Sequence, residues 1–211
     1  MRLILVRHGQ TDWNVERRLQ GSTDNELNKV GRRQAESLAG LLQNEPLVAI
    51  CASPLKRAME TASVIAKPHG LPVQTDPGLM ELDQGELEGL THQGLQTNHA
   101  DLLQRWTENP GPVRMPGGES LQELQDRAWS CIQRTVANRD QGSVVVVSHN
   151  LTILSIICKA IQLDLSCFRR LRQEPASISI LDFSERGITL TSLNDTCHLK
   201  RDGLYTAHMP G

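Results

Sequence analysis

Three short apolar runs stand out in the hydrophobic pattern of the chain. They are aliphatic, largely β-branched and without regular polar alternation, and they lie at residues 3–6 (LILV), 47–51 (LVAIC) and 143–147 (SVVVV). Segments with helical spacing follow them at residues 29–44, 55–67 and 151–161. Because strands buried on both faces are continuously apolar, and strands that alternate with helices pair in parallel, this pattern predicts a parallel sheet covered by helices on both sides.

The remaining apolar positions predict a helical excursion and a terminal hairpin. Helical spacing recurs at residues 92–108 and 119–138, on either side of a loop dense in proline and glycine. Near the C-terminus, residues 177–183 and 188–193 flank a turn that ends in Gly187. Glycine in a turn between two such runs predicts an antiparallel pair of strands.

Together these elements predict an α/β fold: a three-layer α/β/α arrangement with a mostly parallel central sheet, one antiparallel edge and a helical excursion near residues 90–140. No internal repeat, low-complexity tract or Pro/Gly linker divides the 211 residues, so a single domain over 1–211 is expected. The exposed edge strand expected at the C-terminus is compatible with a homodimer, which the sequence leaves open.

Composition and charge exclude several broad classes of protein. The net charge of −2 gives no basic excess of the kind that general nucleic-acid or membrane-surface binding requires, so we expect neither partner. The longest apolar stretch, residues 144–161, is interrupted by Ser148, His149 and Asn150, and predicts a strand that turns into a helix rather than a membrane span. Five scattered cysteines without a CxxC pair, and no visible signal peptide, favour a reducing cytoplasmic location.

Polar residues follow each of the three apolar strands at its carboxyl end. Arg7 and His8 follow the first strand, Ser53 and Arg57 follow the second, and His149 follows the third. In parallel α/β sheets ligands bind in the crevice beyond these ends, so the sequence predicts one pocket with two histidines and two arginines. Two guanidinium groups repel a metal cation and match the planar geometry of an oxyanion, phosphate above all. We therefore expect a phosphate site with no metal and no cofactor.

Six segments spread over most of the chain carry recognisable motifs. They are RHGQTDWN at 7–14, LNKVGRRQA at 27–35, ASPLKRAMETA at 52–62, ELDQGELEG at 81–89, PGGES at 116–120 and VVSHN at 146–150. These segments resemble those of the histidine phosphatase superfamily, also called phosphoglycerate mutase-like. The resemblance implies a phosphomonoesterase of the phosphatase branch that acts on a small phosphorylated metabolite without a metal.

The resemblance also implies a role for each site residue. His8 would be the nucleophile that forms a phosphohistidine, with its other ring nitrogen held by a backbone carbonyl. Glu81 would protonate the leaving alkoxide and then activate water, although on composition alone Asp83, Glu86 or Glu88 could serve. The residues expected to bind the phosphate oxygens are Arg7, Arg57, His149 and Asn14. The residues expected to bind the rest of the substrate are Gln20, Gly21, Thr23 and Asn150.

Three alternatives remain open. Cys51 and Arg57 have the Cys-x5-Arg spacing of cysteine-dependent phosphatases, although Pro54 between them lacks the N–H that such a phosphate cradle needs. A phosphoglycerate mutase-type phosphotransferase is the second, but the larger mutase branch has a Glu-Arg-x-Tyr segment where this chain has Glu81-Leu82-Asp83-Gln84. The third is a protein that only binds a phosphorylated ligand, which would not require a proton donor.

Overall fold

The structure, a computed structural model, describes residues 1–137 and 141–205. A six-stranded sheet lies at the centre of this part of the chain. Its strands are β1 (Arg2–Arg7), β2 (Leu47–Ala52), β3 (Val73–Thr75), β4 (Ser143–Ser148), β5 (Ile178–Ser184) and β6 (Gly187–Asp195). Their order is β3-β2-β4-β1-β5-β6, with parallel pairing from β3 to β1 and antiparallel pairing of β5 and β6. The predicted mostly parallel sheet with one antiparallel edge is confirmed.

Helices connect the strands and form the excursion. They are α1 (Asp12–Val15), α2 (Lys29–Leu42), α3 (Lys56–Ala66), α4 (His92–Asn98), α5 (Ala100–Glu108), α6 (Leu121–Val136), α7 (Asn150–Ala160) and α8 (Cys197–Arg201). The pattern at 92–108 predicts one helix, whereas the structure has two, because the backbone of His99 (φ −138°, ψ 39°) leaves the helical region. Residue 138, at the end of the predicted segment 119–138, lies outside the described residues.

Helices cover the sheet on both faces. Alternate residues of β1 point to opposite sides: Ile4 and Val6 pack in one apolar cluster with α2 and α3, and Leu3 and Leu5 pack in another with α6 and α7. These four side chains are no more than 2% exposed. The three-layer α/β/α architecture is therefore confirmed.

A third apolar cluster holds the excursion against α7. Leu102 of α5, Leu121 of α6 and Leu154 of α7 belong to it, together with Phe168 from the segment that follows α7. Since α7 begins where β4 ends, this packing brings α4 and α5 close to the carboxyl ends of the strands. The excursion is thereby placed where it can contact a ligand bound there.

The remaining expectations concern the edge of the sheet, the oligomeric state and the number of domains. β6 forms one edge of the sheet, as expected, while the homodimer and the single domain over 1–211 stay predictions. Residues 138–140 and 206–211 of that range lie outside the described residues. Within the described ranges, no helix combines the length and the apolar composition needed to cross a lipid bilayer.

Candidate active site

The carboxyl ends of β1, β2 and β4 lie side by side. Arg7 at the end of β1 is paired with Ser148 at the end of β4, and β2 pairs with the other side of β4. The segments that follow these strands are thus brought together. The rings of His8 and His149 lie 5.1 Å apart between centroids, at an interplanar angle of 56°. The convergence that the strand pattern predicts is present in the structure.

His8 is buried and held in one tautomer. Its Nδ1 lies 2.7 Å from the carbonyl oxygen of Gly9, so Nδ1 carries the proton and Nε2 keeps its lone pair. Burial, and then the positive charges of Arg57 and Arg7, lower the pKa of His8 well below its usual value of 6.5. His8 is therefore neutral at pH 7, as a nitrogen nucleophile has to be.

Arg57 and His149 form a buried pair beside this histidine. The Nε of Arg57 donates to Nδ1 of His149 at 3.2 Å, and Nε2 of His149 lies 2.7 Å from the hydroxyl oxygen of Ser53. Because a guanidinium group only donates, His149 carries its proton on Nε2. Burial, followed by the charge of Arg57, lowers the pKa of His149 well below 6.5. Burial also lowers the pKa of Arg57 to about 10, which leaves the arginine charged at pH 7.

Neither Arg7 nor Arg57 forms an ion pair with a carboxylate in the part of the chain that the structure describes. Arg57 donates instead to the carbonyl oxygens of Gly21 and Thr23, at 2.8 and 2.7 Å. Arg7 donates to the carbonyl of Gln173, and its buried Nε atom has no partner among the described residues. Since unpaired buried charge is costly, two such guanidinium groups favour an anion from outside the chain.

Thr11 connects two of the predicted substrate-binding residues. The Oδ1 of Asn14 accepts hydrogen bonds from the Thr11 backbone N–H at 3.0 Å and from its hydroxyl at 3.1 Å, in the capping box that begins α1. The same hydroxyl lies 3.0 Å from Oε1 of Gln20. The cap occupies the amide oxygen of Asn14, so the Nδ2 group is the part of this side chain that can donate to a ligand.

Glu88 fixes the loop that contains Gly21 and Thr23. Its carboxylate accepts from the backbone N–H groups of Ser22 at 2.6 Å and Thr23 at 2.9 Å, and from the Thr23 hydroxyl. Gly21 has a φ of +49°, and a Cβ there would lie 2.1 Å from the Glu88 carboxylate, so the position requires glycine. Glu88 thereby anchors a loop 65 residues away in sequence.

Glu81 lies at the N-terminus of α7. Its Oε1 accepts from the backbone N–H groups of Leu82 at 2.9 Å and Thr152 at 3.2 Å, and its Oε2 accepts from the N–H of Leu151 at 3.2 Å. The first turn of a helix has free N–H groups and a positive dipole end, which together orient a carboxylate. Asn150, the first residue of α7, is half-buried beside this contact.

The charge of Glu81 acts on the arginines of the pocket. It raises the pKa of both Arg7 and Arg57 against the larger effect of burial, so the carboxylate lies near both guanidinium groups. The neighbouring carboxylates are engaged elsewhere: Asp83 accepts from a backbone N–H of its own turn, and Glu86 is exposed. Of the candidates in this segment, Glu81 is the one whose charge acts on both arginines.

Arg127 of α6 fixes the segment that leads to Glu81. Its guanidinium group donates to the carbonyl oxygens of Met80 at 2.8 Å and Glu81 at 2.9 Å. It also forms a bidentate ion pair with Glu119, whose carboxylate accepts from the N–H of Asp83 at 3.0 Å. The motif PGGES contains Glu119, but no periodic signal in the sequence connects it or Arg127 with residue 81.

Cys51 does not belong to this pocket. It lies on β2, is 6% exposed and packs among the apolar side chains that α6 and α7 contribute to the core. The guanidinium group of Arg57, by contrast, contacts His149. A cysteine-dependent phosphatase needs its thiolate and its arginine on the same phosphate, so this geometry contradicts that alternative.

A known family model covers most of the chain. The model of the histidine phosphatase superfamily (branch 1) matches residues 3–196. The chain belongs to this superfamily. It is 35% identical to phosphoserine phosphatase 1 of Hydrogenobacter thermophilus over 199 residues, which are 94% of each chain. It is 32% identical over 209 residues to a probable phosphoglycerate mutase, GpmB, of Yersinia pestis, with 97% of each chain covered.

A solved structure of the superfamily has the same fold. The mycobacterial glucosyl-3-phosphoglycerate phosphatase in complex with VO3 is 30% identical and matches with a TM-score of 0.85. The match covers 92% of this chain and 99% of that one. The α/β/α architecture described above is therefore a histidine phosphatase fold.

In this histidine phosphatase, buried neutral histidines make the stability depend on pH. Because the pKa values of His8 and His149 are lowered by folding, the unfolded chain binds more protons below pH 6.5. We expect the free energy of unfolding to decrease as the pH falls below 6.5, with a slope that approaches about 1.4 kcal/mol per pH unit for each histidine. Urea unfolding at a series of pH values measures this pH dependence of the free energy of unfolding. The variant His8→Asn should lose one histidine's share of the slope, and an unchanged slope would contradict this account.

Proposed function

We propose that the protein is a phosphomonoesterase that hydrolyses a small phosphorylated metabolite through a phosphohistidine on His8, with no metal or cofactor. One observation carries the proposal: His8 is neutral and buried close to Arg7 and Arg57, which no described carboxylate pairs. A phosphate dianion would form the direct ion pairs with these two guanidinium groups that no described carboxylate forms. Relatives that include a phosphoserine phosphatase and a glucosyl-3-phosphoglycerate phosphatase support the same class of reaction.

In the first step, Nε2 of His8 would attack phosphorus while the bond from phosphorus to the ester oxygen breaks. Arg7, Arg57 and the Nδ2 group of Asn14 would bind the equatorial oxygens, where charge must be stabilised. Glu81, in its protonated form, would give its proton to the leaving alkoxide. A neutral alcohol then departs, and the phosphoryl group stays on the histidine.

We expect His149 to take up a proton when phosphate binds. The positive charges of Arg57 and Arg7 contribute to its low pKa, and the phosphate charge opposes their effect. A proton on Nδ1 would replace the hydrogen bond that this nitrogen accepts from Nε of Arg57 by one that it donates to the phosphate. The hydroxyl of Ser53 would meanwhile keep the ring in place through Nε2.

The second step would release phosphate. Glu81, now a carboxylate held by N–H groups of α7, would take a proton from water as the water oxygen attacks phosphorus. The bond between phosphorus and Nε2 of His8 breaks, and inorganic phosphate leaves. Glu81 is then protonated and His8 is neutral, as at the start. The residues at the substrate entrance would be Gln20, Gly21, Thr23 and Asn150.

Phosphoryl transfer of the mutase type is the second candidate, favoured by the relative that is named a probable phosphoglycerate mutase. Hydrolysis is preferred because the larger mutase branch has an arginine where this chain has Leu82, whose side chain is 0% exposed in the apolar cluster of the excursion. Incubation with phosphoglycerate and a bisphosphoglycerate primer separates the two reactions. We expect free phosphate, and isomerised phosphoglycerate would favour the mutase.

Replacing Arg127 by methionine is expected to lower kcat by about 10-fold or more and to change KM by less than about twofold, because a small displacement of a catalytic group is costly. Arg127 holds the backbone of Glu81 rather than the substrate. Steady-state kinetics with an alkyl phosphomonoester measure the effect. Arg134→Met, in the same helix but paired with Asp76, is the matched control. A higher KM with unchanged kcat would show that Arg127 acts in binding instead.

A phosphate-release screen tests the proposed function. Purified protein is incubated with a panel of phosphomonoesters in the presence of a chelator, and inorganic phosphate is measured. We expect release that vanadate inhibits and that His8→Ala abolishes. Strict dependence on added Mg²⁺, or release that survives the loss of His8, would contradict the mechanism.

A further inference from the structure

An apolar cavity adjoins the phosphate site. It has a volume of about 310 Å³ and is lined mainly by leucine and aromatic side chains, among them Leu103, Trp106 and Phe168. Leu151 also lines it, and the backbone N–H of the same residue donates to Glu81 at 3.2 Å. The cavity therefore begins next to the carboxyl group that is proposed to protonate the leaving alcohol.

Two more lining residues connect the cavity with the site. Leu19 directly precedes Gln20, and Asn150 directly follows His149. In an in-line displacement the leaving oxygen lies opposite the attacking nitrogen of His8, and it must be within reach of Glu81 to receive a proton. The carbon skeleton attached to that oxygen would then be directed toward the space beside Leu151.

We propose that this cavity binds the carbon skeleton of the leaving alcohol, and that the substrates are phosphomonoesters of alcohols with an aromatic ring or a branched aliphatic group of similar size. The inference rests on the proposed function and adds the class of substrate to it. Cavities that bind small ligands are mostly apolar with a few polar groups, and their volumes begin near ~300 Å³.

Charged alcohols fit this cavity poorly. None of the described residues that line it is acidic, and its one basic residue, Arg169, is already engaged. Arg169 donates to the carbonyl oxygen of Trp106 at 3.0 Å, and its guanidinium carbon lies 4.9 Å from the centre of the Phe168 ring. The ammonium group of an amino alcohol such as serine would have no counter-charge in these surroundings, which is costly.

Three primary alkyl esters test the proposal in the wild-type protein: 2-phenylethyl phosphate, ethyl phosphate and phosphoserine. The first two esters both release a primary alkoxide of similar basicity, and they differ only in that one alcohol carries an aromatic ring. We expect kcat/KM for 2-phenylethyl phosphate to exceed that for either of the others by about 10-fold or more, because burial of an aromatic side group of this size is worth that factor. A ratio near one, or a preference for phosphoserine, would overturn the inference.

Two variants locate the effect. Trp106→Ala opens the wall of the cavity, and Leu103→Trp fills its space. Each should lower kcat/KM for 2-phenylethyl phosphate by about 10-fold and leave ethyl phosphate within about twofold. Leu41→Ala, at an exposed position of α2, is the control. A preference that neither variant reduces would overturn the assignment to this cavity. If the wild-type protein releases phosphate from no ester, the proposed function itself fails.

Discussion

Replacing His8 by alanine is expected to lower kcat for every phosphomonoester by at least about 10⁴-fold, because the loss of a covalent nucleophile removes both steps of the reaction. Phosphate release at saturating substrate measures it. The guanidinium groups of Arg7 and Arg57 remain in the variant, so we expect it to bind vanadate or phosphate still. Isothermal titration calorimetry with inorganic phosphate measures that binding.

A matched control separates this effect from a general disturbance of the protein. His92 is an exposed histidine at the start of α4, and His92→Ala should leave kcat unchanged. The His8 variant also tests the alternative of a protein that only binds a phosphorylated ligand. If wild type and variant bind phosphate equally and neither turns over any ester, that alternative is favoured and the proposed hydrolysis is wrong.

Replacing Glu81 by glutamine is expected to slow the hydrolysis of alkyl phosphomonoesters by ~10²–10⁴-fold, the usual range for a general acid or base. The amide keeps the size of the side chain and one oxygen for the N–H groups of α7, but it has no proton to give to an alkoxide. Steady-state kinetics with 2-phenylethyl phosphate or ethyl phosphate measure the loss. An equal loss in a Glu86→Gln variant, at an exposed position of the same segment, would contradict this assignment.

The leaving group distinguishes the two tasks of Glu81. Nitrophenolate leaves without a proton, so the first step with 4-nitrophenyl phosphate should survive in Glu81→Gln, while the attack of water on the phosphohistidine remains slow. We expect a burst of nitrophenolate that approaches one equivalent of enzyme, followed by slow turnover. Release without a burst and as fast as in the wild type would show that Glu81 does not activate the water of the second step, and slow release without a burst would show that the first step needs Glu81 even when no proton is transferred.

The sheet could be predicted largely from local patterns. β1, β2 and β4 are buried on both faces, so their apolar runs are continuous, and the parallel order follows from the helices between them. β3 could not be predicted because it has three residues at the edge of the sheet and is mostly exposed. The break at His99 likewise has no hydrophobic signal, since the apolar spacing continues on both sides of it.

The site residues at the ends of strands could be predicted from the sequence. The residues that act through contacts distant in sequence could not. Arg7 ends β1, and His8 and His149 directly follow β1 and β4, so the topology brings them together. The residues that hold the site's loops in place could not be predicted in this way. Glu88 binds a loop 65 residues before it, and Arg127 binds a carbonyl 46 residues before it. Such contacts depend on the folded arrangement of the excursion, and no periodicity in the sequence reports them.

The measurement that tests the central claim most directly is the isolation of the phosphorylated protein. Wild-type enzyme is mixed with radiolabelled 4-nitrophenyl phosphate, whose leaving group needs no proton, quenched within one turnover in alkali, digested and mapped. We predict label on the peptide that contains His8, stable in alkali and lost in mild acid, as a phosphohistidine is, and increased in Glu81→Gln because its hydrolysis is slowed. Turnover with no label on His8, or with acid-stable label on another residue, would contradict the account.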